Sequence, residues 1–63
     1  MKIKDIKKVI VYGKKKTIVW VSKNNEKEIH RFRDLGRMNE ELTVIDFLVM
    51  NGALKLDQIE TEN

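Results

Sequence analysis

Residues 39–52, NEELTVIDFLVMNG, constrain this chain more than any other stretch, because they form the one long apolar run with a start signal before it and a stop signal after it. Asn39 is a good N-cap whose side chain can accept from an orphan amide, and Glu40 and Glu41 would follow in the first turn, where the helix dipole favours negative charge. Leu42, Ile45, Leu48 and Val49 recur at the three-and-four spacing of one helical face, Val44 widens it, and Thr43 and Asp46 fall outside it. Asn51, Gly52 and Ala53 read as a Schellman ending, with glycine taking the left-handed conformation that lets the last carbonyls be satisfied. The rival reading is a hairpin, since Asn-Gly between two apolar runs is a strong turn signal and Thr43, Val44, Ile45, Phe47 and Val49 are strand-favouring types. A two-residue turn there would set Met50 opposite Ala53 and Asp46 opposite Asp57, and directly opposed like charges are unfavourable. The spacing therefore predicts a helix.

Ahead of it the apolar runs are short and β-branched. Residues 6–12 make a first strand, Gly13-Lys14-Lys15-Lys16 a four-residue hairpin loop with Gly13 free to take positive φ, and a second strand runs from residue 17 to 22 or 23. Asn24-Asn25 is a polar turn leading to a third strand that starts at residue 26 or 27 and ends at 33. Asp34, Leu35, Gly36, Arg37 and Met38 form the connection to the helix, with Gly36 as the break. After the helix, Leu54, Leu56 and Ile59 suit a short last strand at a sheet edge, and residues 60–63 a polar tail. The expected fold is α+β, a three-stranded antiparallel meander followed by one helix and a short last strand, βββαβ. It is one small domain over residues 1–63, frayed at 1–5 and 60–63. In layout, a three-stranded sheet followed by one helix resembles the arm-binding domains of phage-type integrases; no motif of theirs is matched here, and layout alone does not carry function.

A chain of 63 residues buries only about 60% of its unfolded surface on folding, so its stability margin is thin. It has no cysteine, hence no disulfide framework or thiolate metal site, and a reducing compartment suits it. The start MKIKDIKK lacks an apolar signal core and no run approaches bilayer length, so a cytoplasmic protein without membrane association is expected. Richness in Lys, Ile, Asn and Glu suits an AT-rich bacterial or phage genome. The strand runs at 9–12 and 18–21 are apolar on both faces, and one helix covers one face only. The other face, carrying either Val9, Val11, Val19 and Val21 or Ile10, Tyr12, Ile18 and Trp20, needs cover from the last strand, from curling into a barrel, or from a second chain. A homodimer or a protein partner is the expectation.

Charge divides the chain. Residues 1–37 hold twelve basic side chains against four acids, +8, and residues 38–63 hold Lys55 against six acids, −5, which together give the net +3. Such asymmetry suits an anionic partner for the first half or self-association, basic surface to acidic surface. For catalysis the inventory is poor: one histidine, one serine and no thiol, with no recognisable spacing of nucleophile, base and orienting acid. His30 and Asp34 lack a third metal ligand, and Gly13-Lys14-Lys15-Lys16 lacks the flanking pattern and following helix of a phosphate loop. No enzyme activity, cofactor or metal is expected.

The constellation that points to a function is the basic one: Lys14, Lys15 and Lys16 on a hairpin tip, His30, Arg31 and Arg33 on the third strand, and Arg37 beyond it, with Lys2, Lys4, Lys7 and Lys8 near the start. Lysine neutralises phosphate, and arginine adds bidentate contacts to phosphate or guanine. Trp20 and Tyr12 can stack on unpaired bases, although for Trp20 a place in the core is the favoured reading, since large aromatics dominate small cores. The structural alternative is a solvated lysine loop with Arg31 and Arg33 paired to Glu26, Glu28 or helix acids. The leading expectation is a small non-enzymatic regulatory module binding DNA or RNA through Lys14, Lys15, Lys16, His30, Arg31, Arg33 and Arg37. The alternative is a small inhibitor or interaction module, homodimeric and of phage type, acting through its apolar sheet face or acidic helix side.

Overall fold

Three main-chain hydrogen bonds at residues 48–53 decide that the 39–52 run is helix and not hairpin. The computed structural model, which describes residues 2–62, has Ala53 N–H on the Leu48 carbonyl at 2.9 Å, Gly52 N–H on that of Val49 at 3.0 Å and Asn51 N–H on that of Phe47 at 3.0 Å. With Gly52 at φ +76°, this is the expected Schellman ending.

The helix, α1 (Leu35–Met50), starts earlier than expected. Its cap is Asp34, which accepts from the Arg37 amide at 2.9 Å, and not Asn39, which lies inside the helix. Gly36, read as a break, occupies the first turn. A Cβ there would come within 3.2 Å of the Asp34 carboxylate, a tight contact that the cap avoids with glycine at this position. The earlier start brings Met38 into the apolar face ahead of Leu42, Ile45 and Val49; Met38 and Ile45 are fully buried. Val44 is half exposed at the rim of that face.

The domain is α+β, with one helix and a four-stranded sheet: β1 (Ile6–Tyr12), β2 (Thr17–Ser22), β3 (Lys27–Arg31) and β4 (Ile59–Glu62) in the order β3-β2-β1-β4. The first three strands pair antiparallel. β4 joins β1 in parallel, so the sheet is mixed and not a simple meander, and α1 is the crossover carrying the chain from one sheet edge to the other. β3 ends at Arg31, two residues short of the expected limit. The last strand differs more. Leu54, expected in it, is buried in the core, Leu56 is exposed in a 3-10 turn (Leu56–Gln58), and residues 60–62, read as a polar tail, are strand. Residue 63 lies outside the described residues, as does residue 1, while Ile3–Asp5 form a 3-10 turn.

The hairpin loop sets which side chains share a face. Tyr12 pairs with Thr17, so Val9 lies opposite Trp20 and Val11 opposite Ile18. The helix side of the sheet therefore carries Val9, Val11, Ile18 and Trp20, and the other side Ile10, Tyr12, Val19 and Val21, a division that cuts across both expected groupings. A bulge at Lys7, where the register slips between Ile6 and Lys8, turns Ile6 to the helix side as well. The Gln58 amide bridges it, donating to the carbonyls of Ile6 and Lys7 at 3.1 and 3.3 Å while its oxygen accepts from Lys55 N–H. At the opposite turn, buried Ser22 accepts from the amides of Asn24 and Glu26 through one hydroxyl. The main core joins Ile6, Val9, Val11, Ile18, Met38, Ile45 and Leu54 between sheet and helix.

Candidate nucleic-acid interface

Tyr12 ends β1, Thr17 begins β2, Arg31 ends β3 and Glu62 ends β4, so one end of the sheet gathers the hairpin loop 13–16 and the connection into α1. Backbone bonds tie this end together: Gly13 N–H to the Glu62 carbonyl at 3.0 Å, and Phe32 N–H to the Lys16 carbonyl at 2.9 Å. Six of the seven basic residues singled out from the sequence lie here. Lys14, Lys15 and Lys16 are in the loop, Arg31 at the end of β3, Arg33 in the connection that follows it, and Arg37 in the first turn of α1; all are exposed except Lys16, which is partly covered. Among the described residues, none of the six is in an ion pair. The pairing of Arg31 or Arg33 with Glu26, Glu28 or a helix acid does not occur among them.

The loop conformation differs from the expected one. Gly13 does not take positive φ; Lys16 does, at +50°. A lysine in the left-handed region costs about 1 kcal/mol where glycine costs nothing. The Thr17 hydroxyl donates to the Lys15 carbonyl at 2.9 Å, and the Lys15 ammonium stands 5.6 Å from the centre of the Tyr12 ring, within cation–π range. Lys15, Arg31, Tyr12, Thr17, Val19 and Ile29 line one open depression of about 230 Å3 on the sheet face that α1 leaves bare. Thr17 and Ile29 were not singled out from the sequence, and Val19 only as part of an apolar sheet face; their places follow from the pairing of Thr17 with Arg31 and Val19 with Ile29.

His30, the seventh, is turned to the helix side. Its Nδ1 lies 2.6 Å from the Glu41 carboxylate and its Nε2 3.0 Å from that of Glu28, while the same Glu41 oxygen accepts from Trp20 Nε1–H at 2.9 Å. Both ring nitrogens must carry hydrogen to satisfy both carboxylates, which favours the imidazolium. Accordingly the bond to Glu28 raises the His30 pKa, burial opposes it, and the bond to Glu41 raises it further. Glu28 is held below its ordinary range, chiefly by the same histidine. The cluster borders an apolar cavity of about 270 Å3 lined by Ile3, Ile6, Trp20, Val44 and Leu48. Asp34, considered with His30 as a metal pair, is the helix cap instead. No group of three or more His, Cys, Asp or Glu is placed to hold a metal among the described residues.

Trp20 thus packs at the core, the reading favoured by its size. The uncovered sheet face is narrower than expected, because Ile10, Val19 and Val21 are exposed by 9% or less, with Tyr12 packed on them. A second apolar region lies between α1 and β4, where Leu42, Val49, Met50, Leu56 and Ile59 surround a groove of about 500 Å3 with Asp46 at its wall. Among the described residues, no helix is long and apolar enough to cross a membrane. Comparison with protein-family models, curated proteins and solved structures gave no match.

Proposed function

We propose that this chain is a small non-enzymatic regulatory module that binds nucleic acid at the hairpin-loop end of its sheet, with Lys14, Lys15, Lys16, Arg31, Arg33 and Arg37 on the phosphates. The observation that supports this most is the gathering of these six side chains at one end without an ion pair among the described residues. Among the described residues the ion pairs are Lys8 with Glu60 at 3.5 Å and His30 with its two carboxylates, and Lys2, Lys4, Lys7, Lys23, Lys27 and Lys55 are in none either, so it is concentration at one end that sets the six apart. Unpaired cations that repel one another lower their energy by meeting an anion. Lys16 adds to the case, since a lysine stands at a position whose conformation suits glycine. His30 has no part in the grip.

Binding of a labelled oligonucleotide at stepped salt tests this reading. Six phosphate contacts on a single strand give a slope of log K against log salt of up to about −4. The triple variant K14Q/K15Q/K16Q should flatten that slope by about 2. Absence of binding at low salt would overturn the reading.

A second reading, a protein-binding module or homodimer, is supported by one observation: Met50 and Leu56 are 84 and 76% exposed at the groove beside the edge strand β4. A protein retained on the immobilised chain after nuclease treatment, lost on Met50→Glu and Leu56→Glu, would favour it.

A further inference from the structure

We infer that the bare sheet face takes an unpaired nucleobase on Tyr12, so that the ligand of the proposed module is a single strand and not a duplex. This rests on the nucleic-acid reading and goes beyond it. Of the four aromatic side chains, Trp20 and Phe32 pack in the core under α1 and Phe47 lies exposed on the helix. Tyr12 is the one aromatic on the uncovered face among the described residues, and it lies half-buried at the end of β1 where the cations gather. Its depression has an apolar floor, Val19 and Ile29, with Ile29 48% exposed, and is flanked by the cations of Lys15 and Arg31 and the hydroxyl of Thr17. An aromatic platform with cations at its rim is the chemistry that holds a base and its two flanking phosphates, and it tolerates any base because each has a π-face.

The width of the sheet disfavours its insertion into an undeformed duplex groove. Four strands spaced about 4.8 Å apart make a face about 14 Å across between the outer strand axes, wider than a major groove of about 12 Å, which admits a helix or a two-stranded ribbon. A duplex that stays outside the sheet meets the cations through its phosphates and keeps its bases stacked, whereas an unpaired strand can lie on the sheet and present a base to Tyr12. The Lys15 ammonium, now over the Tyr12 ring, is then displaced to a phosphate.

The test is fluorescence anisotropy on the full chain with labelled dT12, labelled rU12 and a 12-base-pair duplex, at one salt concentration. The single strands should bind about 10-fold tighter than the duplex, and Tyr12→Leu, which keeps the apolar bulk and removes the ring, should lose about 10-fold on the single strands with little change on the duplex. Ile29→Glu, at an exposed site, places a carboxylate in the depression without threatening the fold and should weaken the single strands likewise. Lys23→Gln, in the turn at the far end of the sheet, is the control. Duplex binding as tight as single-strand binding, or single-strand affinity untouched by both Tyr12→Leu and Ile29→Glu, overturns the inference. If K14Q/K15Q/K16Q weakens binding in that case, the phosphate grip stands without the base platform. Failure of all three probes to bind at low salt removes both.

Discussion

Glu41 carries more of this fold than its helix-surface position suggests, and Glu41→Ala shows how much. One of its oxygens accepts from Trp20 Nε1–H at 2.9 Å and faces His30 Nδ1 at 2.6 Å, joining β2, β3 and α1 with a side chain only 17% exposed. A hydrogen bond to a charged group contributes about 1.5–3 kcal/mol. The His30 bond is discounted because the imidazole is 34% exposed and water can replace the carboxylate, so the two together amount to about 2–3 kcal/mol. A domain of this size has a total stability of about 3–9 kcal/mol, and each kcal/mol moves Tm by about 4–8 °C. Glu41→Ala should therefore lower Tm by about 10–20 °C in circular dichroism at pH 6, while Glu40→Ala, exposed on the same helix, changes stability by less than about 0.5 kcal/mol. The wild-type pH profile carries the same signature. His30, with its pKa raised in the fold, stabilises fully below its ordinary value of 6.5, and that contribution is lost as pH rises through the folded value. Glu28, with its pKa lowered, stabilises above its ordinary value of 4.5 and loses that as pH falls through the folded value. The cluster is worth most between pH 4.5 and 6.5. A Glu41→Ala variant as stable as wild type, with wild-type stability flat or rising from pH 6 to 8.5, would refute this account of the cluster.

Other perturbations read single features. Gly52→Ala meets no neighbouring atom but forces a side chain into φ +76°, so urea unfolding should show a loss of about 1–2 kcal/mol from backbone strain alone. Ser22→Ala leaves the Asn24 and Glu26 amides without the shared hydroxyl and should cost about 1–2 kcal/mol by the same assay, with faster amide exchange confined to residues 22–27. Lys16→Gly should move stability and affinity in opposite directions: a gain of up to about 1 kcal/mol from relief at φ +50°, and weaker oligonucleotide binding from the lost cation. A Lys16→Gly chain that is both more stable and unchanged in binding would take Lys16 out of the interface.

Where the chain spoke through local chemistry it was legible. The helix end at Asn51 and Gly52, the three-and-four spacing and the four-residue length of the lysine loop all depend on neighbours in sequence and are as expected, while the positive φ of that loop falls on Lys16 and not on Gly13. The helix start was obscured because Gly36 counts as a breaker until the Asp34 carboxylate is seen to cap the turn that contains it. β4 has almost no apolar signal, since Glu60 and Glu62 lie on the open side of an edge strand and its pairing to β1 is a long-range backbone matter. The facial grouping of the strands was implied by the loop, because pairing Tyr12 with Thr17 fixes Val9 against Trp20; reading the strands without that register mixed the faces. The same applies to the basic residues. Arg31 and His30, adjacent in sequence, point to opposite sides of the sheet, and the capture of His30 by Glu41 depends on the helix phase.

The interface is tested most directly by amide chemical-shift mapping of the 15N-labelled chain on addition of dT12 at low salt. The account predicts shifts concentrated at residues 12–17, 29 and 31–37, with residues 44–50 and 56 unmoved. Shifts confined to the groove between α1 and β4, or none at all, would contradict it.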